Sequence, residues 1–167
     1  MISAQGNSES PHRPLTLWRI TKKKHGLYAF SGEGPKRFGG RWNQRGTAVV
    51  YASDSLALAA LELFVHLGRQ GFHIQFVFFR IEVPDTISTV IIDPKSLPGG
   101  WRKQPPPTST KEIGTRWADS NESVVLAVPS VIVPEGINYL VNPNHSDYSQ
   151  LKVSDPTSFS LDPRMWK

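Results

Sequence analysis

The sequence predicts one α+β domain, in which a mixed sheet of short strands is covered by few helices. The chain of 167 residues has the length of a single domain. Its apolar runs are short and rich in Val, Ile and aromatic residues, and many of its 14 prolines and 13 glycines separate them. These runs do not alternate regularly with helices, as they would in a doubly wound sheet. We assign the domain to residues 15–167 and expect a disordered leader over residues 1–14.

The predicted strands are apolar runs or runs of alternating polarity that are rich in β-branched and aromatic residues. Pro84 ends the longest run, and Pro129 breaks a later run into two strands. The Pro/Gly-rich residues 93–108 form a surface connection. The strands are predicted over residues 15–20, 47–53, 73–83, 88–93, 123–133 (two strands) and 137–143.

Two helices are predicted between these strands. Residues 56–69 are rich in Leu and Ala, which favours a largely buried helix capped by Asp54 or Ser55. A second, shorter helix follows Ser109, because Glu112 stands three residues later in the pattern of a capping box.

The composition excludes several kinds of site. With no cysteine, the chain has no disulfide, no thiolate nucleophile and no Cys-ligated zinc. The five histidines lack the spacing of metal ligands, so we expect no metal cofactor. No segment approaches the roughly 20 apolar residues of a membrane span, and the leader lacks the apolar core of a signal peptide. We therefore expect a cytoplasmic protein without a membrane partner.

Positive charge is concentrated in the first third of the chain. The net charge is +5, and this third contains the lysine run at residues 22–24 together with Lys36, Arg37, Arg41 and Arg45. Such a surface suits a nucleic acid, a phosphate-bearing small molecule or an acidic protein equally well, and it is also typical of a solvated face.

Residues 30–53 form a Gly-rich, Arg-rich stretch that runs into a predicted strand. A P-loop would need Gly-Lys-Ser/Thr at the start of a helix, and that motif is absent from the sequence. A Rossmann fingerprint would need a third glycine where Arg37 stands. The stretch is thus left with three interpretations: a phosphate cradle, a grip on a nucleic-acid backbone, or a turn.

Glu62 is the only acidic residue between Asp54 and Glu82, and it lies in the middle of the apolar helix. A carboxylate in such surroundings loses hydration unless it is paired or borders a cleft. It either pairs with His66, one turn later, or has a functional role. Ser123 and Ser130 raise a similar question, because a hydroxyl at the start of an apolar run usually bonds to the backbone.

Taken in order, several motifs resemble one known family. These are "LWRI", "GGRWN", "VVYAS", "SLALAALELFVH", "NESVVLAVPSV" and "NPNHSDY". They resemble the RES domain, which is named for its Arg, Glu and Ser and is the toxin half of a class of bacterial toxin–antitoxin pairs. The resemblance covers residues 15–164.

The resemblance implies a fold similar to ADP-ribosyltransferases, with NAD⁺ as the substrate. It also implies an Xre-like helix-turn-helix antitoxin that blocks the cleft, forms a hetero-oligomer with the toxin and provides its only link to DNA. The family motifs place the catalytic residues at Arg41, Tyr51, Glu62 and Ser123, with Ser130 as the other position for the serine, and the NAD⁺-binding residues at Arg19, Arg41 and Tyr51.

The leading hypothesis is therefore the toxin of a type II toxin–antitoxin system that degrades NAD⁺. It would cleave the nicotinamide–ribose bond and pass ADP-ribose to water or phosphate. One alternative is a mono-ADP-ribosyltransferase that modifies a host protein. An alternative of another class is a non-enzymatic nucleic-acid-binding protein, in which Trp18, Tyr28, Trp42 and Trp101 stack on bases. Such a protein would be indifferent to Glu62.

Overall fold

The first strand, β1 (Leu15–Lys22), begins directly after Pro14, the first residue that the computed structural model describes; the described residues are 14–68, 71 and 73–166. They form an α+β domain around one mixed sheet, which confirms the predicted fold class. Apart from Pro14, the predicted leader lies outside the described residues, so it and the domain boundary stay predictions. None of the described helices is long and apolar enough to cross a membrane.

The predicted strands are present except the one after Pro129, and most of them are shortened at one or both ends. The strands are β1, β2 (Val50–Ser53), β3 (Phe76–Val83), β4 (Thr89–Ile91), β5 (Val125–Pro129), β6 (Ile137–Val141), β7 (Lys152–Val153) and β8 (Thr157–Phe159). The α-helices are α1 (Glu33–Phe38), α2 (Leu56–Phe64) and α3 (Thr108–Ser120). Short 3₁₀ turns cover Lys23–Tyr28, Pro94–Ser96, Ser146–Gln150 and Pro163–Trp166.

The strands are hydrogen-bonded in the order β4-β5-β6-β2-β1-β3-β7, and β8 also pairs with β3. Among the strands that the structure describes, only β4 and β5 pair in parallel, and α3 lies in the crossover between them. β1 pairs with β3 along its whole length but meets β2 at the single register pair Trp18–Ser53. The junction between β1 and β2, called the β1–β2 seam below, is therefore held by little strand pairing. The site described below lies beside this seam.

The alternation of side chains along β5 places its residues in two of the three clusters of the described core. Val125 and Ala127 join a cluster on one face with Leu17, Val50, Ala52, Ile81, Val83, Val124, Tyr139 and Val141. Leu126 and Val128 join the other, with Trp42, Val49, Trp101, Trp117, Ala118 and Leu140. Because Trp117 and Ala118 belong to α3, this helix covers the second face of the sheet.

The Gly-rich stretch contains α1, a helix that the sequence did not predict. Gly32 precedes it with φ 70° and Gly39 follows it with φ 74°, values in the left-handed region that favours glycine. Pro35 lies in the first helical turn, where no N–H is needed for the helix ladder. Glycine and proline, which indicate a loop by composition, here mark the boundaries and first turn of a short helix.

The stretch is held against α3 by close contacts. A Cβ at Gly114 would lie 1.8 Å from the carbonyl oxygen of Trp42, so the helix approaches this backbone where it has no side chain. One residue along α3, the Thr115 hydroxyl accepts a hydrogen bond from the Gln44 N–H at 2.9 Å. The helix thereby fixes residues 42–44.

The strand predicted after Pro129 is absent from this described part of the chain. The Ser130 hydroxyl accepts hydrogen bonds from the N–H groups of Ile132 and Val133, both at 3.1 Å. These bonds fold the chain into a turn, because a serine hydroxyl competes with the sheet for backbone donors. The strand prediction for residues 131–133 is therefore wrong.

Two helix boundaries also differ from the prediction. α3 begins at Thr108, after Pro107 and without a side-chain cap, so Ser109 lies inside the helix and forms no capping box. α2 is capped by Ser55, one of the two predicted residues, but it ends at Phe64 rather than near residue 69.

Candidate active site

A cleft of about 780 Å³ opens beside the β1–β2 seam. Its floor contains a row of paired residues from three strands: Trp18 lies opposite Ser53, and Ser53 lies opposite Asn138. Directly paired residues point to the same face of a sheet, and all three line the cleft. The walls come from α2, residues 38–42, Arg102, Gln104 and Pro106, and the turn after Pro129.

Helix α2 carries Glu62 to this cleft. The Ser55 hydroxyl caps the helix by accepting a bond from the Leu58 N–H at 3.1 Å. Leu58 and Ala59 bury one side of the helix, and α2 packs on β1 and β2. Ala59 and Glu62, one turn apart, both line the cleft. The carboxylate thus stands on a short helix anchored against the sheet.

The Glu62 carboxylate is bound from outside its own helix. Its Oε1 atom accepts hydrogen bonds from Ser130 Oγ at 2.8 Å and from Asn138 Nδ2. These donors come from the turn after β5 and from β6, so the two hydrogen bonds link α2 to the sheet. The structure gives Glu62 these partners rather than His66, which also lines the cleft.

The structure separates the two candidate serines. Ser130, only 4% exposed, touches Glu62 directly. Neither serine is among the residues that line the cleft, and Ser123, which is 2% exposed, does not contact Glu62. Its hydroxyl donates to the Val125 carbonyl at 2.8 Å and accepts from Trp117 Nε1 at 2.9 Å. The structure therefore does not bring Ser123 to the other predicted site residues, and it brings Ser130 there instead.

Tyr51 lines the cleft from β2, and its hydroxyl is bound within the protein. It donates to Asn43 Oδ1 at 2.8 Å and accepts from the Trp42 N–H at 3.0 Å. Burial raises the pKa of Tyr51, so the phenol stays neutral at physiological pH. Gly40 makes room for this contact, because a Cβ there would lie 2.5 Å from the Tyr51 hydroxyl oxygen.

Arg41 lies at the cleft wall and ties it to residues 101–104. Its guanidinium donates to the carbonyls of Trp101 at 2.9 Å and Lys103 at 3.1 Å, and to Gln104 Oε1 at 3.0 Å. Partial burial lowers the pKa of Arg41, and the Glu62 carboxylate opposes this shift. The Pro/Gly-rich connection, which the sequence left without a role, is thus attached to the cleft through Arg41.

Arg19, on β1, bridges two neighbouring segments beside the seam. Its Nε donates to the Ala29 carbonyl and its Nη1 to the Tyr51 carbonyl, both at 2.8 Å. Burial lowers the pKa of Arg19 to about 10, and the nearby Tyr148 opposes the shift. Because a guanidinium has five N–H donors, these two bonds do not exhaust its capacity.

Sequence reasoning missed several residues of the cleft. Ser53 ends the VVYAS motif but was not assigned to the site, Asn138 lies outside the quoted motifs, and only the strand register brings the two residues together beside Glu62. Arg102 and Lys111 add positive charge from segments that were not assigned to the site. The residues that line the cleft include four cationic ones, Arg19, Arg41, Arg102 and Lys111, and one acidic one, Glu62.

The proposed base-stacking residues do not form an open aromatic surface. Trp42 is 2% and Trp101 is 7% exposed, and their rings pack 6.2 Å apart in the core. Tyr28 is exposed, but it lies in a 3₁₀ turn and not in the cleft lining. Within the described residues, no group of three His, Asp or Glu side chains is placed to hold a metal ion.

The fold and this cleft agree with membership of one family, and the family model for the RES domain matches residues 16–162. The chain belongs to the RES-domain family. A protein of Yersinia enterocolitica named Toxin Res is 37% identical over 152 residues, which cover 90% of this chain and 99% of that protein. A Sphingobium protein named Prs ADP-ribosylating toxin is 42% identical over 154 residues, which cover 90% of this chain and 96% of that protein.

A solved structure has a similar fold. It is the M. tuberculosis MbcT-MbcA toxin-antitoxin complex, with a TM-score of 0.72 over 89% of this chain and 85% of that chain. The sequence identity is 18%, so this likeness concerns the fold.

Proposed function

We propose that this RES-domain protein is a toxin that consumes NAD⁺ by cleaving the bond between nicotinamide and ribose. The observation that carries the proposal is the carboxylate of Glu62, which Ser130 and Asn138 hold in place and which is the one acidic group among lining residues that include four Arg and Lys residues. The family and the toxin names of the relatives support the same class of protein.

The cleft fits a dinucleotide in size and in chemistry. Its volume of about 780 Å³ lies within the range of about 300–1,000 Å³ typical of small-molecule sites. Arginine is suited to a pyrophosphate because its planar fork binds phosphate oxygens in pairs. Trp18, Phe38 and Tyr51 provide aromatic surface for the rings of the substrate.

The reaction needs little acid catalysis. The bond between ribose C1′ and the nicotinamide nitrogen breaks, its electron pair goes to the ring, and nicotinamide leaves as a neutral molecule. Positive charge develops on the ribose as in an oxocarbenium ion. Glu62 stabilises this charge from a fixed position, which avoids reorganisation at the moment of reaction. An acceptor oxygen then bonds to C1′: water loses its proton to the solvent, and phosphate bonds through an oxygen that is already deprotonated.

The other site residues bind and orient the substrate. Arg41 and Arg19 direct their remaining donors to the pyrophosphate, and the ring of Tyr51 packs against the nicotinamide. Ser130, in place of Ser123, is the family serine of this chain, and its hydroxyl fixes the Glu62 carboxylate.

The acceptor distinguishes two activities at the same site. Water or inorganic phosphate would give free ADP-ribose or its 1″-phosphate, whereas a protein side chain would give an ADP-ribosylated protein. The Sphingobium relative is named as an ADP-ribosylating toxin, which favours keeping the second activity as an alternative. Incubation with labelled NAD⁺, with and without phosphate and with bacterial lysate, separates the three products by chromatography and gel.

The partner is an antitoxin that covers the cleft. The similar fold of a toxin in a toxin-antitoxin complex supports such a partner. It is of the Xre-like helix-turn-helix type, forms a hetero-oligomer with this chain and supplies the DNA contacts of the complex.

The substitution Glu62→Gln tests the proposed reaction. It retains the size of the side chain and removes its charge, so we expect NAD⁺ turnover to fall by about 10²-fold or more. Glu82→Gln is the matched control, because Glu82 pairs with Arg80 away from the cleft lining. If the Glu62 variant consumed NAD⁺ at a rate within threefold of wild type, the proposed stabilisation of the ribose charge by Glu62 would be wrong.

A further inference from the structure

Ser53 is linked to the Glu62 carboxylate through the side chain of Asn138. Ser53 and Asn138 are directly paired on β2 and β6. The Ser53 hydroxyl donates to Asn138 Oδ1 at 2.7 Å, and Asn138 Nδ2 donates to Glu62 Oε1. Ser53 is 3% exposed, so its hydroxyl is shielded from water. Leaving a buried hydroxyl without a hydrogen-bond partner would lower the stability of the folded protein.

The Ser53 hydroxyl determines which way the Asn138 amide faces. An asparagine amide presents donors on one side and an acceptor on the other. With its oxygen bound to Ser53, the amide turns its NH₂ group to Glu62. In the reversed orientation, the amide oxygen would face a carboxylate oxygen, and the two acceptors would repel each other.

The two groups that donate hydrogen bonds to Glu62 bind the same oxygen of its carboxylate. Ser130 and Asn138 both bind Oε1. In the part of the chain that the structure describes, Oε2 receives no hydrogen bond from the protein, so it is available to the contents of the cleft. One oxygen thus anchors the side chain and the other is left for chemistry.

We propose that Asn138, oriented by Ser53, is a positioning residue that holds the Glu62 carboxylate through Oε1 and directs its Oε2 atom into the cleft. This inference rests on the proposed function, in which Glu62 stabilises the cationic ribose. Asn138 acts through Glu62 and does not itself touch the reacting atoms.

The side-chain bond between Ser53 and Asn138 is not what joins β2 to β6. The backbone ladder already joins β2 to β6 over four residue pairs, from Val50–Val141 to Ser53–Asn138. Joining the strands does not require a side-chain bond in addition. The direction of the amide towards Glu62 is what the Ser53 hydroxyl adds.

Three variants test the inference. Asn138→Asp keeps the shape, removes the NH₂ donor and places a second carboxylate beside Glu62. Ser53→Ala releases the amide without touching Glu62, and Ser53→Thr retains the hydroxyl. Asn144→Asp and Ser158→Ala make the same chemical changes at exposed positions outside the cleft lining.

The kinetic readouts are kcat, KM and the pH dependence of NAD⁺ consumption. For Asn138→Asp we expect kcat to fall by about 10²-fold and the acid limb of the profile to move to higher pH, since neighbouring like charges disfavour ionisation. For Ser53→Ala we expect kcat to fall about three- to tenfold with KM within twofold, the order of one lost neutral hydrogen bond. Ser53→Thr should recover most of that loss.

The charged groups that share the cleft with Glu62 are unchanged in all these variants, so they do not produce the expected shift. These groups are Arg19, Arg41, His66, Arg102 and Lys111. Wild-type kcat and pH profile in both Asn138→Asp and Ser53→Ala would overturn the inference. So would a loss of thermal stability with full activity per folded molecule.

A readout independent of turnover separates this inference from the proposed function. The ¹³Cδ signal of labelled Glu62 follows the ionisation of its carboxylate by NMR, and Asn138→Asp should move its titration midpoint to higher pH. If wild type fails to consume NAD⁺ but this midpoint moves, the proposed reaction is wrong and the positioning contact stands. An unmoved midpoint overturns the positioning role whether or not the protein consumes NAD⁺.

Discussion

At the scale of single residues, the Tyr51 hydroxyl is a structural anchor as well as part of the cleft wall. It holds the Trp42 N–H and the Asn43 side chain, which is 0% exposed. Tyr51→Phe leaves both groups without this partner, so we expect the free energy of unfolding to fall by about 1–3 kcal/mol. Urea denaturation of the purified protein measures the change.

The control for this prediction is Tyr28→Phe, because Tyr28 is 73% exposed. It should leave the urea midpoint unchanged. A Tyr51→Phe variant as stable as wild type would mean that Asn43 and the Trp42 backbone find other partners.

Part of the candidate site could be predicted from the sequence because some residues conflict with their local surroundings. Glu62 is conspicuous as a lone carboxylate in an apolar helix, and Arg41 lies in a family motif. Ser130 contacts Glu62 because the chain turns after Pro129, and composition does not encode this turn. Asn138 was missed for a related reason: strand register, rather than local sequence, places it opposite Ser53.

At the scale of secondary-structure elements, strands were easier to predict than the segments between them. Short apolar runs give strands almost wherever a neighbouring strand can pair, as with β1 and β3. The run at residues 131–133 has the same composition, but the Ser130 hydroxyl captures its backbone donors. α1 was missed because glycines beside a helix and glycines in a loop have the same local signature.

The close approach of α3 to the Gly-rich stretch gives a prediction about this element. Gly114→Ala would gain about 1 kcal/mol of helix propensity, but its Cβ would lie 1.8 Å from the Trp42 carbonyl oxygen. Overpacking typically costs about 1–3 kcal/mol, and here the obstacle is backbone, so the clash dominates. We expect Tm to fall by several degrees in differential scanning calorimetry.

Gly34→Ala is the matched control, since Gly34 is also helical and a Cβ added there would meet no neighbouring segment within 4 Å. Its Tm should stay level or rise slightly. If Gly114→Ala also raised Tm, α3 would not be seated against Trp42 as the structure places it.

At the scale of the whole molecule, the cleft mouth combines positive charge with exposed apolar side chains. Lys36 and Arg37 are exposed on α1, directly before Phe38, which is 68% exposed and lines the cleft. Just after α2, Val65 is 54% exposed at the same cleft. Surfaces of this kind recruit partners through electrostatic attraction and buried apolar contacts. An enzyme that destroys NAD⁺ has to be inhibited in its own host, and we expect the inhibitor to cover this mouth.

We therefore expect the antitoxin to place an acidic segment against α1 and the cleft mouth. Lys36→Glu combined with Arg37→Glu should weaken the complex and, because long-range attraction is screened by salt, reduce the salt dependence of the association rate. The salt bridge of Lys36 with Glu33, at 3.6 Å on the surface, contributes little to stability, so the domain itself should remain folded. Lys95→Glu with Lys152→Glu makes the same change in net charge on exposed residues outside the cleft lining and should bind as wild type does. The measurement is the association rate of each double variant with the antitoxin at two salt concentrations. If the variant of Lys36 and Arg37 and the control variant behave alike, the antitoxin docks elsewhere and the charge on α1 belongs to an ordinary solvated face.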